Sequence, residues 1–218
     1  MNINISLLDF KKKHKNKKNQ IIFHKSVCKN NKIIENIINN FLIKKNSFIF
    51  ESVEKRRIRG RYTIIGSDPD KIWEFNKKKI YLTENNKKKI IKGIPYIFLR
   101  KLIENFNFPL PKNLPPLCSL LVGYFSYDII RYIEKVPDDC QDDLKMPDIK
   151  LVRPKTLIIH DNLLKKIYFI INCFADQKIN NYSKYYSNQI KNIQNLKNLA
   201  FRGVILRKTQ TQTLQTSF

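Results

Sequence analysis

Several groups of residues in this chain are of types that carry chemistry. Asp138, Asp139, Asp142 and Asp143 crowd four carboxylates into six positions. Oxygen-rich clusters of this kind hold hard divalent cations, but the ligand spacing of a calcium loop is absent, so a solvated acidic loop is expected. Four cysteines (Cys28, Cys118, Cys140, Cys173) and three histidines (His14, His24, His160) could ligate zinc or form disulfides. They are widely dispersed with no C-x-x-C pair, which fits spectator thiols in a reducing compartment better than either framework. Asp128, Arg131 and Glu134 follow one another at i,i+3, where acid and base pair along one helix surface in a structural role. Glu51 and Ser52 close an apolar run (FIFES, 48–52), and taken alone such a pair is a strand terminus. There is no G-x-G-x-x-G, P-loop, G-x-S-x-G or H-E-x-x-H. With five glycines in the whole chain, a phosphate cradle has little to be built from.

The elements that must position these groups follow from hydropathy. Residues 20–25 (QIIFHK) predict a short strand. Ile33, Ile34, Ile37, Ile38 and Phe41 recur at helical spacing. Residues 47–52 predict a buried strand, followed by a charged segment at 53–59 and a turn at Gly60. Strands are expected at 61–67 and 71–75, separated by a tight turn at 67–70 (SDPD), with a hairpin at 76–78 leading into 79–83. A helix is expected over 94–106. A connector holding Pro109, Pro111, Pro115 and Pro116 then stops it. A central strand at 117–124, a short helix at 127–134 and a long hairpin (150–161 with 165–173, turning at Asp161 and Asn162) come next. The last expected helix is 179–196.

Antiparallel strand pairs with inserted helices define an α+β fold. The layout expected is a polar, Lys/Asn-rich leader at 1–19, one domain at 20–176, a C-terminal helix at 177–199, and an atypical tail at 200–218. After Asp176 the chain has no acidic residue, and from Ala200 it turns to Thr and Gln. That shift can mark a disordered tail or a change of reading frame near 196–199, and the second reading is favoured.

Charge narrows the function classes. Lys+Arg is 42 against 18 Asp+Glu, a formal net of +24 with a pI near 9.9. Such a balance raises the prospect of nucleic acid. The Lys runs, however, sit near the N-terminus and in expected hairpin turns (Lys77, Lys78 and Lys79; Lys87, Lys88 and Lys89), embedded in Asn and Ile. That is compositional drift rather than a designed groove. A basic nucleic-acid-binding module remains an alternative, against which the aromatic residues follow core periodicity. No apolar run approaches the roughly 18 residues of a membrane span. A cytoplasmic protein with neither nucleic-acid nor membrane partner is expected.

Four segments, read in order, carry a family resemblance: FIFES with VEKRRIRGRYTIIGSDPD (48–70), LPPLCSLLVGYFSYDIIRYIEKVP (114–137), DDLKMPD (142–148) and HDNLLKKIYFI (160–170). The first resembles the "LLES" and "RGRYSFIG.DP" elements of anthranilate synthase large subunits. The second resembles their G-Y-x-x-Y-D-x-x-R-x-x-E-x-x-P signature, on Gly123, Tyr124, Tyr127, Asp128, Arg131, Glu134 and Pro137. The related aminodeoxychorismate synthase component I shares the G-Y-x-x-Y-D element and is the alternative within the fold. The run from Glu51 through GRYTIIGSDPD, with the DDL-x-x-PD loop, favours anthranilate synthase.

The resemblance implies the N-terminal, regulatory part of the chorismate-utilising fold, in a truncated or frameshifted fragment or in one chain of a split enzyme. It implies L-tryptophan as feedback effector near Ser52, Glu51 and Arg61. A free amino acid offers an ammonium and a carboxylate, so its pocket needs an acceptor set and a donor set. Ser52 can accept from the ammonium and Glu51 can neutralise it. Where relatives have a Thr-Pro-Val-Ser-like stretch, this chain has CKNNKIIEN (28–36) without proline. The complete family enzyme is a lyase that turns chorismate into anthranilate and pyruvate. It uses Mg2+ in a C-terminal domain and works with a glutamine amidotransferase subunit. None of that domain's motifs occurs here, so the resemblance assigns no catalytic residue, metal ligand or cofactor to this chain. It is expected to be inactive alone and to expose an apolar face toward the missing catalytic half.

Overall fold

A computed structural model describes residues 2–30, 32–41, 43–51, 60–106, 108–137, 142 and 144–214, with backbone alone for 203–214. The elements are α1 (Leu7–Lys15), β1 (Gln20–Val27), α2 (Lys32–Phe41), β2 (Phe48–Glu51), β3 (Tyr62–Asn76), β4 (Lys79–Glu84), β5 (Lys87–Ile91), α3 (Pro95–Glu104), β6 (Val122–Phe125), a 3-10 helix (Tyr127–Tyr132), β7 (Ile149–Asp161), β8 (Lys166–Cys173) and α4 (Tyr182–Leu214). The recorded strand pairs are antiparallel. The architecture is α+β. Two compact units divide the chain. One comprises Met1–Asp68, Phe108–Ser119 and Lys155–Phe218; the other comprises Pro69–Asn107 and Leu120–Pro154. Strands β3 and β7 each contribute residues to both.

In the first unit β8 lies between β1 and β7 and is buried along nearly its whole length. Its apolar run KIYFIINC is therefore the sequence of a strand covered on both faces. On one face lie α2, α4 and α1. Ile33, Ile34, Ile37 and Phe41 of α2 form a single stripe, packed with Ile22, Phe169, Ile171 and Ile193. The segment expected as a polar leader contains α1. Ser6 caps it by accepting from the Asp9 N–H at 3.1 Å. Leu7, Phe10 and His14 recur at i, i+3, i+7 among the lysines, and Phe10 is wholly buried, stacked on Tyr185 with centroids 5.9 Å apart. Burying that ring contributes about 2–3 kcal/mol. The last helix runs well past residue 196, to Leu214.

Two other expectations, on β2 and β3, are corrected. Residues 67–70 make no turn: β3 is continuous through them. Asp68 adopts φ 53° and accepts from the Ser67 hydroxyl at 3.0 Å, so the irregularity is absorbed as a kink that a short polar residue tolerates. Nor is β2 buried, since Phe50 is 51% exposed and Glu51 is exposed.

In the second unit the end of β3 pairs with β4, β4 with β5, and β6 with the start of β7. Trp73, Phe75, Ile80, Leu82, Ile149 and Leu151 form its core, against which Phe98, Leu99 and Leu102 of α3 pack. The two hairpin turns fall at Lys77–Lys78 (φ 46° and 65°) and Asn85–Asn86 (φ 51° and 60°), the left-handed pairs that match strand twist. Lys87, Lys88 and Lys89 therefore lie in β5 and not in a turn. There the charge is partly paired: Glu74 takes Lys88 at 2.5 Å and Lys150 at 3.6 Å, and Glu84 takes Lys71 at 3.4 Å and Lys89 at 3.6 Å. Residues 117–121 stay outside the short strand β6, so the expected central strand is reduced to four residues. Among the described residues no helix is long and apolar enough to cross a membrane.

All three histidines lie in the first unit and all are buried. Burial holds the His160 and His24 imidazoles below their ordinary 6.5, with Lys165 and Lys197 respectively adding repulsion. A base whose folded pKa is depressed gives stability that is full above 6.5 and is lost as pH falls from there toward the folded value, because the unfolded chain then binds more protons. Urea midpoints should accordingly drop between pH 7.5 and pH 5.5, and His160→Gln should remove part of that drop. A flat profile over this range would contradict the assignment.

Candidate functional site

Of the three residues singled out for ligand binding, Ser52 lies outside the described residues, as do the charged positions 53–59. Glu51 ends β2 on its exposed side, in register with Thr63 of β3. Arg61 immediately precedes β3, two residues before Thr63. No hydrogen bond or ion pair joins Glu51 to Arg61.

Arg61 is instead held by a residue whose partnership the sequence does not reveal. Its Nε donates to Asp161 Oδ1 and Oδ2 at 3.1 and 3.2 Å, and its Nη2 to Oδ2 at 2.8 Å. Asp161 ends β7 and is nearly inaccessible. Burial alone would raise its carboxyl, but Arg61 and the Leu163 and Leu164 N–H groups hold it below the ordinary value. The same pairing pushes the Arg61 guanidinium further up, and the guanidinium lies 5.0 Å from the Tyr62 ring centroid. Exposed Phe50 and half-exposed Leu163 and Leu164 belong to the same unit. A fixed cation and an exposed acid are the two kinds of group that a zwitterion needs. The signal available in sequence was only the Asp-Asn pair of a hairpin turn.

The other candidates resolve structurally. Arg131 pairs with Asp128 at i,i+3, as expected, and its Nη2 also donates to the Pro137 carbonyl at 2.8 Å. Asp148, in the DDLKMPD segment, accepts from Tyr132 Oη at 2.7 Å and from the Lys77 N–H at 3.0 Å. Burial and this carboxylate together raise the Tyr132 phenol well above its ordinary range. Asp138, Asp139, Cys140 and Asp143 lie outside the described residues. Among the described ones no three His, Cys, Asp or Glu converge to hold a metal. Cys28, Cys118 and Cys173 are free and buried, with the Cys118 thiol pushed up to about 11 and Cys173 to about 12 by burial.

The class so defined is an α+β chain with a fork-held arginine just before β3 and an exposed acid at the end of β2. No family model matches it. Among curated proteins it is 33% identical over 123 residues to anthranilate synthase component 1 of Cereibacter sphaeroides, covering 54% of this chain and 25% of that protein. It is 32% identical over 133 residues to the Acetivibrio thermocellus protein of the same name (61% and 27%). With anthranilate synthase alpha subunit 1, chloroplastic, of Arabidopsis thaliana it shares 31% identity over 164 residues (69% and 27%). A crystal structure of anthranilate synthase component I from Streptococcus pneumoniae superposes on 68% of this chain and 31% of that one, with TM-score 0.48 and 20% identity. Over more than half of its own length the chain is similar to anthranilate synthase component 1 proteins, and it spans about a quarter of the length of the curated relatives it matches.

Proposed function

We propose that this chain carries the effector-binding part of an anthranilate synthase component 1 and takes L-tryptophan as a feedback ligand in the biosynthesis of that amino acid. The observation that carries the reading is that Arg61 is held as a fixed cation two residues before Thr63, the register partner of solvent-exposed Glu51. Glu51 neutralises the ammonium, Ser52 accepts from it, and Arg61 meets the carboxylate. The chorismate and magnesium chemistry belongs to a C-terminal catalytic part, and ammonia comes from a glutamine amidotransferase subunit. This chain's residues supply neither.

Calorimetric titration with L-tryptophan tests the reading. Binding is expected, weakened about tenfold by Glu51→Gln, a loss of about 1.4 kcal/mol. Absence of heat, or equal binding of D-tryptophan, would count against it. Supplied with chorismate, magnesium and ammonia, the purified chain is expected to produce no anthranilate fluorescence.

A further inference from the structure

We infer that Asp161 is the positioning residue of this ligand corner: it grips one edge of the Arg61 guanidinium and so presents the other edge to a carboxylate. The inference rests on the effector reading above and concerns how that site is built.

Asp161 is fixed before Arg61 reaches it. Its side chain is 2% exposed, and Oδ1 accepts from the Leu163 and Leu164 N–H groups, both at 3.0 Å. The β7–β8 turn thus sets the carboxylate plane. Arg61, at 31% exposure, meets that plane with Nε and Nη2, a forked contact whose geometry a guanidinium satisfies and an ammonium does not. Backbone ties hold the two segments together: the Asn162 N–H donates to the Arg61 carbonyl at 2.8 Å, and the Asn162 amide reaches the Thr63 hydroxyl at 3.5 Å. The Tyr62 ring borders the guanidinium 5.0 Å away. Edge, ring and backbone together fix the orientation of Arg61.

No described residue accepts from Nη1. Glu51 stands in register with Thr63, two positions along from Arg61. Two steps of strand rise are about 7 Å. Asp161 is therefore not a ligand contact. It sets the direction of the donor that is one.

Three proteins and two ligands test this. Asp161→Asn keeps an Oδ1 acceptor for the turn but loses the charge and the two-oxygen fork. Arg61→Lys keeps the charge and loses the fork. Calorimetry would compare L-tryptophan with L-tryptophanamide, which lacks the carboxylate, and thermal denaturation would be recorded alongside. The wild-type chain should prefer L-tryptophan about tenfold, and both variants should reduce that preference to about one while affinity for the amide stays unchanged. A purely structural Asp161 would weaken both ligands alike, or neither; either result overturns the inference while leaving wild-type binding intact. If the wild-type chain binds neither ligand, the effector reading itself fails and the inference falls with it.

Discussion

Asp70→Asn is expected to destabilise the second unit by about 3–5 kcal/mol, the cost of breaking a buried ion pair from one side. Arg153 and Asp70 side chains are 9% and 12% exposed, and they meet edge to edge, Nε to Oδ1 at 2.8 Å and Nη2 to Oδ2 at 2.6 Å. The guanidinium also lies 5.9 Å from the Trp73 ring centroid. The amide keeps one acceptor but removes the negative charge that faces the guanidinium, and arginine cannot discharge itself by losing a proton. Arg153→Met breaks the same pair from the other side and should likewise destabilise the unit. Replacing both, as Asp70→Leu with Arg153→Met, should recover most of the loss, since a buried pair exchanged for apolar side chains of similar volume is close to neutral. Urea unfolding of these proteins tests each step, and adding the single variant Asp70→Leu closes the cycle that gives the coupling energy. A loss below about 1 kcal/mol for Asp70→Asn would show that the pair is more hydrated than its burial indicates.

This pair also marks the limit of what was legible in the sequence. Helix α2 and the β7–β8 hairpin were readable because their information is local: four apolar residues on one helical stripe, or two apolar runs around an Asp-Asn turn. Helix α1 was hidden because lysines fill three faces of it, leaving only Phe10 and His14 to report its buried side. The SDPD segment carries turn residues, yet β3 passes through it, since pairing with β2 before it and with β4 after it outweighs the local preference. At the candidate site the types of Glu51 and Arg61 were legible, whereas the partner of Arg61 lies 100 positions away and becomes visible only once β3 and β7 are side by side. Long-range partnership of this kind leaves no spacing to read.

Gly123→Ala is expected to detach β6, at a cost on the order of 3 kcal/mol or more, at the upper end for overpacking. Gly123 pairs with Leu151, between Val122↔Val152 and Tyr124↔Lys150. A Cβ built at this position would overlap the Lys150 carbonyl oxygen and stand 2.8 Å from Lys150 C and 3.0 Å from Leu151 Cα. These are backbone atoms of β7, and they cannot step aside because Ile149 and Leu151 are locked in the core at 1% and 5% exposure. The strand that yields must be β6. With it goes the contact that follows, from the Ser126 N–H to the Asp148 carbonyl at 2.8 Å, and so the seating of the 3-10 helix whose Tyr132 holds the Asp148 carboxylate. Gly66→Ala makes the control: its Cβ would meet the Phe48 ring and Leu157 Cδ2 at 3.0 Å, side chains that can rotate, so a loss of about 1 kcal/mol is expected. Hydrogen exchange should show Val122–Phe125 amides losing protection in the first variant and keeping it in the second. If Gly123→Ala retained protection and wild-type stability, close approach to β7 would not be what this position requires. The glycine of the G-Y-x-x-Y-D segment would then need a different explanation. As the geometry stands, that glycine is required by the distance between two backbones, and the tyrosine and aspartate after it are placed by the strand pairing it permits.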